Sequence, residues 1–102
     1  MIDIIAKNLE ELRRICGRHH VKTLFLFGSA AKESFSDKSD LDFLVQFDSS
    51  LNLLDYADNF FSLLENLQQL YNRKVDLLSV SSIKNPILRE EIDNTKIILY
   101  AA

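Results

Sequence analysis

The chain has 102 residues, 47% hydrophobic and 26% charged, with a formal net charge of −3 at pH 7. That size is expected to make one domain, 1–102, around one core. The acidic balance argues against a protein whose main task is gripping a nucleic-acid backbone. No apolar run reaches membrane-spanning length and no signal-peptide pattern opens the chain, so a cytoplasmic location is expected. Cys16 is alone, which excludes an internal disulfide, and its place in a helical pattern marks it as a small buried hydrophobe.

Residues 2–16 read as a helix, with Ile5, Leu9, Leu12 and Cys16 at helical spacing and Gly17 as its stop. Glu10 and Arg14 form an i,i+4 pair on its wet side. Arg18-His19-His20 reads as a solvated connection, because no acidic or cysteine ligand stands near the two histidines. Val21 to Phe27 is a strand, apolar on both faces and therefore central.

The strand ends at Gly28-Ser29. A glycine there lets the backbone approach a ligand, and Ser29 can cap a short helix or turn reaching about Ser34, or offer its amide and hydroxyl to a phosphate. A polar loop, Ser34 to Ser39, leads to a second strand over 40–47. Asp40, Asp42, Leu44 and Gln46 share one face of it; Leu41, Phe43, Val45 and Phe47 share the core face. Asp40 and Asp42 then point the same way. Two like charges so placed repel unless a cation sits between them, and a hard divalent ion such as Mg2+ is commonly held by one or two carboxylates plus substrate phosphates.

Asn52 to Tyr71 is the longest helix. Leu53, Tyr56, Ala57, Phe60, Leu64, Leu67, Leu70 and Tyr71 make its packed stripe, while Leu54, Phe61 and Leu63 fall partly off it. A turn at Asn72-Arg73 leads into a third strand, Lys74 to Val80. Asp76 stands within it, where a carboxylate in a buried strand is costly unless paired or metal-bound. Asn85 caps a short helix from Pro86 to about Ile92, broken by Asp93-Asn94, and Lys96 to Tyr100 is a fourth strand. The pattern is α/β: a mixed sheet of about four strands flanked by helices, with the first two strands antiparallel and the second and third parallel through a right-handed helical crossover.

The run GSAAKESFSDKSDLDFLV resembles the signature of the polymerase-beta-like nucleotidyltransferases: GS, a short spacer, then D-x-D opening an apolar strand. The short length is similar to the minimal nucleotidyltransferases (MNT), antitoxins that pair with HEPN toxins in toxin–antitoxin modules, and the resemblance covers nearly the whole chain. It implies transfer of AMP from ATP to a hydroxyl. In that pattern Asp40 and Asp42 hold two Mg2+ ions, Asp76 is the third carboxylate, shared with one ion and placed to take the acceptor's proton, and Gly28 and Ser29 cradle the outer phosphates. Lys32 stands where family members often carry arginine, and Glu33 where many carry glycine; the second departure adds negative charge beside the expected phosphates.

The acceptor is expected to be a separate molecule. For the MNT group the resemblance implies a tyrosine of a HEPN toxin, silenced by adenylylation, with a homo- or hetero-oligomer possible. Two alternatives stand beside it: a binding-only antitoxin with a weak or unused nucleotide site, which Glu33 favours, and a small-molecule (aminoglycoside-like) nucleotidyltransferase, which the missing length disfavours.

Overall fold

The computed structural model describes residues 2–31 and 40–102. In chain order these form α1 (Asp3–Lys7), α2 (Leu9–Arg18), β1 (Val21–Phe27), a 3-10 turn (Gly28–Ala30), β2 (Leu41–Phe47), α3 (Leu53–Tyr71), β3 (Val75–Ser79), a second 3-10 turn (Val80–Ser82), α4 (Pro86–Thr95) and β4 (Ile97–Ala101). The four strands make one mixed sheet in the order β3-β2-β1-β4. β1 pairs antiparallel with both β2 and β4, and β2 pairs parallel with β3, as the hairpin-like and helical connections dictate.

Alternation along the strands divides the sheet into two unlike faces. Leu24 and Leu26 of β1 lie opposite Val45 and Phe43 of β2, all four fully buried beneath α2 and α3. Leu12, Ile15 and Cys16 of α2 and Leu63, Leu67 and Tyr71 of α3 complete that core. The Tyr71 ring stacks on Phe43, with ring centres 5.9 Å apart. The other face carries Phe25, Phe27, Asp42 and Leu44 and is only partly covered; Ile92 of α4 lines a cavity together with Leu44 and Phe25. β1 is thus central, but its second face is half open, and the carboxylates stand on that open side.

Several local expectations change. The first helix is two: it breaks at Asn8, whose side-chain amide donates to the Ile4 carbonyl at 2.9 Å instead of leaving the ladder to the backbone alone. Gly17 does not stop α2, because the reversal comes three residues later at His20, which takes the left-handed conformation (φ 58°). His19 is not solvated. It is buried against the Ile15 carbonyl at 2.7 Å and the Ser62 hydroxyl at 2.8 Å, so in the neutral ring Nδ1 donates to the first and Nε2 accepts from the second. That ring ties α2 to α3.

On α3, Asn52 caps the N-terminus by accepting from the Asp55 amide at 2.9 Å, and Asn72 ends the helix in the left-handed conformation (φ 51°). Leu63 is fully buried, whereas Leu53 is 82% exposed, the reverse of the expected stripe; packing of α3 starts at Tyr56, whose ring meets Phe47 edge-on at 5.1 Å. Asn85 caps α4 as expected, accepting from the Ile87 and Leu88 amides with Pro86 at the first position. Asp93 and Asn94 do not break that helix. Asp93 is held inside it by Lys96, 2.9 Å away, and Thr95 closes the last turn on the Glu91 carbonyl at 2.9 Å.

Candidate active site

Strand register, more than any single side chain, builds the site. Asp42 of β2 lies directly opposite Phe27 of β1 on one side and Asp76 of β3 on the other. The pairing begins one residue earlier: the Leu41 amide donates to the Lys74 carbonyl at 3.2 Å, which sets Lys74 beside Asp40. Because side chains alternate, Asp40, Asp42, Lys74 and Asp76 all rise from the same face, at the end of the sheet where β1 runs out into Gly28.

Gly28 turns with φ 73°, a conformation that an L side chain adopts only at a cost. It also has no room for one. A Cβ there would collide with Asp42 Oδ2 and lie 3.3 Å from Asp42 Cγ. The turn therefore lays bare backbone against the carboxylate. Ser29, half-buried, and Ala30, buried, follow in the same 3-10 turn.

Burial pushes the Asp42 carboxyl up to about 6 from 3.8; the neighbouring Asp76 charge and a hydrogen bond with Asp76 add to this, then the Asp40 charge, with Lys74 opposing. A second negative charge this close to Asp42 is disfavoured, while Asp40 faces the Lys74 ammonium at 3.6 Å. Among the described residues, no three acidic, histidine or cysteine side chains close around one point as metal ligands. Asp76 itself is exposed on an outer strand, so burial of its own side chain is not what makes its position unusual; its place beside Asp42 is.

A family model described as polymerase beta, nucleotidyltransferase matches residues 10–102. The chain belongs to this nucleotidyltransferase family. Among its relatives is a Methanocaldococcus jannaschii protein provisionally named a protein adenylyltransferase, 33% identical, with 85% of this chain and 93% of the relative covered. Protein adenylyltransferase MntA of Thermococcus cleftensis is 34% identical over 84% of this chain and 80% of its own. The fold also matches the structure of a tri-AMPylated Shewanella oneidensis HEPN toxin in complex with its MNT antitoxin, with a TM-score of 0.65 and 17% identity, over 95% of this chain and 72% of that one.

Set against this nucleotidyltransferase fold, five of the six expected site residues fall at one end of one sheet face or in the turn beside it: Gly28, Ser29, Asp40, Asp42 and Asp76. Lys32 and Glu33 lie outside the described residues. Lys74 was not anticipated as part of the site. Its spacing two residues before Asp76 puts it on the same strand face, but only the strand register sets it beside Asp40. No described helix is long and apolar enough to cross a membrane.

Proposed function

We propose that this chain is an antitoxin-type nucleotidyltransferase that transfers AMP from ATP to a hydroxyl, most simply a tyrosine, of a partner HEPN-type toxin and so neutralises it. The observation that carries the reading is the Asp42–Asp76 pair, held in register beside Asp40 and against the bare backbone of Gly28. The names of its adenylyltransferase relatives, and the AMPylated toxin bound to an antitoxin of the same fold, support the substrate class.

The donor set suits a hard divalent ion. It is all carboxylate oxygen, and burial and crowding already disfavour the charged form of Asp42, a cost that a dication would relieve. Asp40 and Asp42, with Asp76, would hold Mg2+. Bound there, Mg2+ supplies neutralisation of the phosphate charge and acidifies the acceptor hydroxyl.

The chain's own residues do the rest. Gly28 and Ser29 present backbone amides and a hydroxyl to the outer phosphates, with Lys32 adding a positive charge. Asp76, the most open of the three carboxylates, accepts the proton of the incoming hydroxyl. The hydroxyl oxygen forms its bond to the α-phosphorus as the bond to the pyrophosphate oxygen breaks, and pyrophosphate leaves with the pair of electrons.

Label position in ATP tests this directly. With the toxin as acceptor, α-labelled ATP is expected to label the toxin and γ-labelled ATP is not. Label arriving from the γ position would mean a phosphotransferase, and label from neither would leave a partner blocked by contact alone. Asp76→Asn is expected to abolish labelling with an unchanged circular-dichroism spectrum.

A further inference from the structure

The grid of four side chains at the site contains a cation as well as three carboxylates, and the cation is placed by the backbone. The parallel pairing of β2 with β3, continued by the Leu41 amide to the Lys74 carbonyl, fixes Lys74 across from Asp40 just as it fixes Asp76 across from Asp42. Lys74 Nζ lies 3.6 Å from Asp40 Oδ2. The three carboxylates are accordingly divided: Asp40 pairs with the ammonium, Asp42 stands level with Asp76, and no three ligands converge among the described residues.

We propose that Lys74 is a built-in counter-cation that holds Asp40 out of the metal cluster until a divalent ion displaces it. The inference rests on the metal-dependent reading of the site given above. A dication arriving at Asp42 and Asp76 draws Asp40 in by charge and repels the ammonium, so the ion pair must open before the third ligand closes. Lys74 thereby weakens metal binding by the strength of that pair and offsets the mutual repulsion of the carboxylates. Freed, the ammonium stands at the rim of the same face, on a flexible stem, where an incoming anionic substrate passes. Lys74 is a positioning residue on this account, acting through Asp40.

The test is a calorimetric titration of Mg2+, repeated with Mn2+, into the ATP-free protein. Wild type, Lys74→Met, Lys74→Arg and Asp42→Asn are compared at one ionic strength. The pair is solvent-exposed on both sides, which sets the scale of a surface ion pair. Lys74→Met is expected to bind metal about three- to fivefold more tightly than wild type. Lys74→Arg, which keeps the charge, is expected to stay within about twofold of wild type.

Metal affinity unchanged or weakened in Lys74→Met, while Asp42→Asn still abolishes binding, would overturn the role of Lys74 and leave the metal site standing. Saturable binding that is absent from wild type, or unaffected by Asp42→Asn, would overturn both. Lys74 is 70% exposed, so neither of its substitutions threatens the fold.

Discussion

The Asp42 carboxylate rests on the α-carbon of Gly28, so closely that no side chain fits between them. The turn proposed to receive phosphates and the carboxylate proposed to receive metal thus touch, and a side chain at position 28 would have to displace Asp42. Gly28→Ala is expected to cost about 1–2 kcal/mol from its left-handed backbone alone. Displacement of Asp42 should lower AMP transfer on the order of 100-fold, the scale of a 1 Å misplacement at a reacting centre. Urea unfolding and labelled-ATP transfer measure the two effects. Gly17→Ala is the control: Gly17 is helical, exposed and open, its nearest neighbour being the Tyr100 hydroxyl at 3.8 Å. That substitution should stabilise the protein by about 0.5–1 kcal/mol and leave transfer intact.

Crowding at Asp42 has a pH signature. Its carboxyl is raised from 3.8 to about 6 in the folded protein, by burial first and then by Asp76. The native state therefore holds that proton more tightly than the unfolded chain does. The stability this confers is complete below pH 3.8 and is lost as pH rises through about 6. Above that pH the ionised carboxylate burdens the fold, and Asp42→Asn removes the burden. In chelator, the melting temperature of Asp42→Asn is expected to pull ahead of wild type as pH climbs from 4 to 7, and added Mg2+ should narrow the gap by stabilising wild type alone. A gap that stays flat with pH would contradict the raised carboxyl.

Tyr71 is packed as a phenylalanine would be. Its ring stacks on Phe43 within the core, and its buried hydroxyl has no hydrogen-bond partner among the described residues. A buried hydroxyl left unpaired costs about 1–3 kcal/mol. Tyr71→Phe is therefore expected to raise the urea midpoint or leave it unchanged, and Tyr71→Ala to lower stability by about 3–5 kcal/mol, the range for emptying an aromatic site. A loss of stability in Tyr71→Phe would reveal a partner for the hydroxyl in solution.

Much of this was legible in the chain because two periodicities carry it. Alternation from Leu41 to Phe47 separates core from site face, and the same alternation on β3 brings Asp76 level with Asp42 once the strands are parallel. One cap reads as well: Asn85 and Pro86 sit where their side chains require. What could not be read depends on partners distant in sequence. His19 looks like a polar linker until Ser62, 43 residues on, is found beside it. Lys74 looks like the edge of a strand until register sets it next to Asp40. The expectation of a buried Asp76 failed for a related reason. β3 lies at the edge of the sheet and its site face is open, and strand order is not written in the apolar pattern of one strand.

The measurement that tests the central claim most directly is an intact-mass spectrum of the HEPN-type partner after incubation with this chain, ATP and Mg2+, beside a control carrying Asp40→Asn and Asp42→Asn. A mass gain of one or more adenylyl groups is expected with the unaltered chain and none with the control. An unmodified partner that still forms a stable complex would contradict it and leave neutralisation to binding alone.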